Sequence, residues 1–281
     1  MTELKTTFKT DILFKALFEK HPNLLKSLVS NLLSIPKDEI TQFELRNQEL
    51  PPDFIDDKYC RVDINMEVNG KRINLEVQVE DFKSYPERVL FNWARIYSNS
   101  IASGDNYSQL PQTIVISIVN FKLFKDIESF HTQFRPLEVN SNHLLSDRMV
   151  LHFFELWKVT DSINTNDRLN LWLSLFRANT VEELKSIEQL EDTEMTEAIN
   201  AYNTITAEKD FQDLERRRIL ARMDEGQALF DAGQEGEARG KSLALQISKR
   251  LFKGESNSAI ANALSITEDE VEEIRIELLG K

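Results

Sequence analysis

Apolar residues recur at helical spacing from Phe8 to Leu33, at Ile12, Leu13, Leu17, Phe18, Leu24, Leu25, Leu28, Val29, Leu32 and Leu33. This predicts two consecutive helices with a break at His21-Pro22-Asn23, because proline removes a backbone donor inside a helix. Asp11 opens the first helix beside Thr10 as a possible cap, and Pro36 ends the second. Ile40 to Leu50 alternates as a strand would, and Pro51 to Lys58 is a polar loop. Two further runs, Cys60 to Val68 and Lys71 to Glu80, are joined by Asn69-Gly70, the strongest short hairpin signal because both residues tolerate the positive φ of a type I′ turn. A helical pattern follows over Tyr85 to Ser103, started by Pro86 and stopped by Gly104. Thr113 to Val119 is a β-branched run suited to a central strand, and Met149 to Val159 adds one more. The resulting order is α-β-β-β-α-β.

Beyond a soft boundary near Asn166 the patterns are almost wholly helical. We therefore expect one domain over residues 1–165 and a helical region over 166–281. Glu208 to Asp231 reads as a long charged helix, Gly233 to Gly240 as a glycine-rich polar interruption, and Ser242 to Phe252 as amphipathic helix. Ser256 to Leu264 and Glu268 to Leu279 outline a helix-turn-helix. Its second helix carries Glu268, Asp269, Glu270, Glu272 and Glu273, charges that repel phosphate, so helical packing or protein contact suits residues 256–279 better than base reading.

The turn fixes the hairpin register. With Val68 facing Lys71, Met66 opposes Ile73, Ile64 opposes Leu75 and Val62 opposes Val77, an apolar face. The other face sets Asp63 opposite Glu76 and Arg61 opposite Gln78. Directly opposed Cβ atoms lie roughly 4.5–5.5 Å apart, and like charges there are destabilising unless a cation lies between them. A divalent ion is the natural occupant. The plainer reading is a solvent-facing hairpin side with ordinary acids, and Glu67 opposite Arg72 is a surface ion pair of that kind.

Composition narrows the field. The chain has 281 residues, 41% hydrophobic and 29% charged, with 8 Gly and 7 Pro, which describes an ordered, helix-rich protein. One cysteine, Cys60, excludes an intrachain disulfide framework and a cysteine-based zinc site, and Cys60 falls on the apolar parity as a small buried residue. His21, His131, His143 and His152 show no ligand spacing. No run approaches the roughly 18 apolar residues of a membrane span, and Met1 to Lys9 lacks a signal-peptide core, so a cytoplasmic protein with no membrane partner is expected. The formal charge of −13 argues against a tight non-specific nucleic-acid binder, although basic spots occur at Lys122, Lys125, Arg216 to Arg218 and Lys249 to Lys253.

The segments Thr10 to Phe18, Arg61-Val62-Asp63-Ile64, Asn74 to Val79 and Gly104-Asp105-Asn106-Tyr107 together resemble the PD-(D/E)XK nuclease superfamily. Within it, they resemble the Rpn recombination-promoting nucleases, also described as PD-(D/E)XK nuclease family transposases. The tail from Leu251 to Ile274 is similar to the helical C-terminal repeat of that family. The resemblance implies an α/β restriction-endonuclease-like core, a mixed sheet flanked by helices, with an all-helical C-terminal region. It implies metal-dependent endonucleolytic cleavage of DNA linked to recombination or mobile elements, with Asp63 and Glu76 as metal ligands and Mg²⁺ as the ion, Mn²⁺ or Ca²⁺ being alternatives. Gln78 takes the place of the motif's lysine. An amide cannot take a proton from water, but it can orient one. Asp11 contributes through a water or is simply a helix acid, and Arg61 or Lys58 supplies the missing positive charge. A rival reading has the fold catalytically weak through Gln78 and serving as an oligomerisation or regulatory module. The helical region is the expected means of homo-oligomer formation.

Overall fold

The computed structural model describes residues 2–46, 64–81, 83–160 and 163–279. Their contacts divide the chain into two compact units, Met1–Gln212 and Asp213–Lys281. The first unit begins with α1 (Asp11–Lys20) and α2 (Pro22–Leu32), separated at His21 with Pro22 in the first turn of α2. Strands β1 (Phe43–Leu45), β2 (Ile64–Val68) and β3 (Lys71–Gln78) form a meander. Helix α3 (Tyr85–Ser98) leads into β4 (Thr113–Val119), β5 (His131–Phe134) and β6 (Met149–Glu155). The strands make one mixed sheet in the order β1-β2-β3-β4-β6-β5, with β3, β4 and β6 parallel. A helix on one face of a parallel core is what a crossover from β3 to β4 through α3 requires.

The two faces of the sheet differ. Ile64, Met66, Val68, Ile73, Leu75, Val77, Ile114, Ile116 and Ile118 are buried against α1, α2 and three later helices, α4 (Arg168–Arg177), α5 (Val181–Glu188) and α6 (Thr193–Ala207). Trp172 and Phe176 of α4 sit in that same core beside Phe14 and Phe18. Hence α4 to α6 pack into the first unit, and the unit continues well past Asn166. The opposite face packs against α3 through Tyr85, Val89, Val115, Val119, Leu151 and Phe153.

Several element ends differ from the pattern-based expectation, for identifiable reasons. Helix α3 ends at Ser98 rather than Ser103, because the hydroxyls of Ser98 and Ser100 donate to the Arg95 and Ile96 carbonyls at 3.0 and 2.7 Å and so satisfy the last turn. Strand β6 stops at Glu155, where a 3₁₀ turn, Leu156–Lys158, takes over. Strand β5 carries no alternation and forms by pairing with β6. The glycine-rich segment 233–240 does not interrupt the helix. Helix α7 runs unbroken over Lys209–Phe252, since each exposed glycine costs only about 1 kcal/mol against alanine and the residues between are good helix formers.

In the second unit the end of α7 packs with α8 (Asn257–Leu264) and α9 (Glu268–Leu279) around Ile247, Ile260, Ala261 and Val271. Ser265 takes the left-handed conformation between α8 and α9, and the first turn of α9 is acidic. No described helix is long and apolar enough to cross a membrane.

Candidate active site

The Asn69-Gly70 turn adopts φ values of 49° and 74°, and Asn69 is pinned by the N–H groups of Thr41 and Gln42, both donating to its Oδ1 at 3.0 Å. The register follows from it: Val68 pairs with Lys71, Met66 with Ile73 and Ile64 with Leu75. Glu67 opposes Arg72 and forms the surface ion pair at 3.5 Å, with Arg46 also at 2.8 Å from Glu67. The pairs Val62 with Val77, Asp63 with Glu76 and Arg61 with Gln78 lie outside the described residues, as do Lys58 and Cys60.

Glu76 stands on the α3 face of β3, beside Ser117 in the parallel register with β4. It is 1% exposed. Its Oε1 accepts from the Tyr85 hydroxyl at 2.6 Å and from the Ser117 hydroxyl at 3.0 Å. Among the described residues its Oε2 is buried and makes no hydrogen bond, and the Arg88 Nη2 lies 3.8 Å from it. Both amide atoms of Asn74, one pleat away on the same face, are likewise buried without a hydrogen bond. Leaving buried polar atoms unpaired costs about 1–3 kcal/mol each, more for a charged group. Two hydroxyls hold one carboxylate oxygen still and leave the other with open lone pairs, which is the donor geometry an oxygen-seeking cation needs.

Tyr85 is buried, and burial together with the Glu76 charge raises its pKa well above 10, so it remains a phenol that donates. Tyr85 and Arg88 lie three residues apart on α3 and therefore on one helical face. The spacing was available in the sequence, but which face α3 turns to the sheet was not. Ser117 left a clearer trace as the single polar residue inside Ile114 to Val119.

Gln78 follows Glu76 on the same face, and its amide Nε2 donates to the Glu80 carbonyl at 3.0 Å. Asp11 opens α1, a helix whose buried residues pack on the other face, and its Oδ1 accepts the Ile12 N–H at 2.8 Å. Glu76 and Gln78 thus share a face, and Tyr85, Ser117 and Arg88 join Glu76 there, while Arg61 and Lys58 lie outside the described residues. Among the described residues no three His, Cys, Asp or Glu side chains converge as a metal-ligand group.

A second buried glutamate closes the end of β6. Glu155 Oε1 accepts from the backbone N–H of Leu123 and Phe124 and from Trp157 Nε1 at 2.9, 3.2 and 2.9 Å, while Oε2 pairs with Lys158. His131 and His152 pack against each other inside the sheet. Their rings stack, with Nε2 of one 2.9 Å from Nδ1 of the other, and burial lowers both pKa values, that of His152 to about 4.

A family model described as PD-(D/E)XK nuclease family transposase matches residues 8–232. No curated protein and no solved structure matches the chain.

Proposed function

Because the chain belongs to the PD-(D/E)XK nuclease family transposases, we propose that it is a divalent-metal-dependent DNA endonuclease built around Glu76. The observation that carries this reading is the buried carboxylate with one oxygen fixed by Tyr85 and Ser117 and the other without a hydrogen bond among the described residues. Asp63 and Glu76 would hold the ion, with Mg²⁺ as the expected species and Mn²⁺ or Ca²⁺ as substitutes. A bound ion of this kind lowers the pKa of a coordinated water and neutralises charge on a phosphate. The protein's own groups do the rest. Tyr85 and Ser117 orient the carboxylate, and Arg88 stands close enough to share charge stabilisation with a bound phosphate. Gln78 has its N–H engaged by Glu80, which leaves its carbonyl oxygen to accept from and orient the attacking water. Asp11 and Arg61 complete the proposed set of site residues. The biological setting in this reading is recombination or mobile-element chemistry in the cytoplasm, with homo-oligomers formed through the helical C-terminal region.

Plasmid DNA incubated with the protein and Mg²⁺ or Mn²⁺ should be cut; EDTA should abolish cutting, and Glu76→Gln or Asp63→Ala should each lower it about 10²-fold or more in folded protein. Cutting that survives both substitutions would overturn the assignment. The engagement of the Gln78 amide by its own backbone neighbour favours one second reading, a nuclease fold of low activity acting as an oligomerisation or regulatory module. That reading predicts no metal binding at Glu76.

A further inference from the structure

A cavity of about 480 Å³ opens at the carboxyl ends of β4 and β6, lined among others by Asn120, Trp157, Arg177 and Asn179. Its wall is built by α4 and α5, on the sheet face opposite Glu76, and its lining residue Asn120 donates its N–H to the Gln78 carbonyl at 3.0 Å across the ends of β3 and β4. The carboxyl ends of parallel strands are where open α/β sheets bind ligands. Trp157 is 41% exposed, although its Nε1 is held by Glu155. Two ammonium groups lie over its ring, Lys122 Nζ at 5.0 Å and Lys158 Nζ at 5.4 Å. They are not equivalent. Lys158 is buried and fixed by Glu155 and the Phe124 carbonyl, whereas Lys122 is solvent-exposed. Behind the wall, Lys9 Nζ donates to Asn179 Oδ1 at 2.7 Å. Glu183, the carboxylate among the described lining residues, is turned into the cap of α5, where it accepts the N–H groups of Asn179 and Thr180 at 2.7 and 3.0 Å.

An indole face beside a solvent-exposed cation, with amide groups on the walls and the Arg177 guanidinium held by the Thr160 carbonyl at 2.8 Å, is the chemistry that receives an unpaired base and its phosphate. A paired base offers no free face to Trp157, and the net charge of −13 disfavours a grip on duplex phosphates alone. We propose that this cavity seats one unpaired nucleotide, its base stacked on Trp157 and its phosphate met by Lys122, so that the substrate is single-stranded or locally unpaired DNA. This deepens the nuclease reading and rests on it for the cutting step, but binding is measurable without metal.

The test is fluorescence anisotropy of the full-length protein in EDTA, with a labelled oligothymidylate of about 12 nucleotides, within the usual span of single-strand sites, and with a labelled hairpin duplex. The wild-type protein binds the single strand more tightly than the duplex. Trp157→Ala weakens the single strand roughly 5- to 100-fold, the range for loss of one stacked base, and leaves the duplex unchanged. Trp157→Phe stays within a few-fold of wild type because it keeps an aromatic face. Lys122→Ala lowers the salt dependence by about 0.7, the value for one phosphate contact on a single strand. Tyr107→Ala removes an aromatic that is 81% exposed and lies outside the cavity, and it binds as wild type. Equal binding by wild type and Trp157→Ala, or no preference for the single strand, overturns the proposal. So does an equal loss in Trp157→Phe, which would trace the effect to the Glu155 hydrogen bond. Trp157-dependent binding in a protein that never cuts DNA would leave the cavity assigned and remove the nuclease reading, so the two fail separately.

Discussion

Glu76 and Glu155 are both buried on the sheet, yet their surroundings are opposites. Glu155 is saturated: two backbone N–H groups, an indole N–H and a lysine occupy its oxygens and lock the segment after β4 to the end of β6. Glu76 is half finished: among the described residues it has two hydroxyls on one oxygen and no hydrogen bond on the other, and Arg88 stands at 3.8 Å. A buried carboxylate that folding has fully paired serves the fold. One left with an unpaired oxygen lowers the stability of the free protein, and an external cation can recover what folding did not satisfy.

The sharpest way to break this contrast is to remove the saturated partner. Glu155→Ala strands Lys158 in the interior and should destabilise the protein by about 3–5 kcal/mol, read as a lower denaturation midpoint. Glu76→Gln should leave stability near or above wild type, because it removes an incompletely paired charge, while cutting falls about 10²- to 10³-fold, as for loss of one electrostatic contact to a transition state. If instead Glu76→Gln destabilises as strongly as Glu155→Ala, the two sites are not different in kind. Tyr85→Phe deletes one hydroxyl from Glu76 and should cost about 0.5–1.5 kcal/mol of stability, with a weaker metal affinity measured by calorimetry.

The histidine pair sharpens the same point with a neutral network. The folded pKa of His152 lies near 4, below its unfolded value, so the unfolded chain binds the extra proton in between. The stability this pair contributes is therefore present above about pH 6.5 and is lost as pH falls toward 4, by at most about 3 kcal/mol. Thermal melts over that window should show the slope, and His152→Phe should flatten it.

Much of the fold was legible from local rules. Asn69-Gly70 specified the hairpin pairing residue by residue, Pro22 divided α1 from α2, and the run Ile114 to Val119 announced a central strand. What could not be read depends on tertiary placement. Tyr85 reaches Glu76 only once α3 has docked on the sheet, and β5 exists only because β6 offers it an edge. The glycines after Gly233 look like a break in sequence, but their neighbours hold the helix through them. Hairpin parity placed Glu76 and Gln78 on one face, and only the family resemblance set them apart from ordinary surface residues, whereas Tyr85, Arg88 and Ser117 needed the packed structure to join Glu76.

Titration calorimetry of Mn²⁺ into the wild-type protein and folded Glu76→Gln tests the central claim most directly. The account predicts a stoichiometric Mn²⁺ site in wild type that disappears in Glu76→Gln. Binding of equal affinity in both proteins would contradict it, and the unpaired oxygen of Glu76 would then have no role in holding a cation.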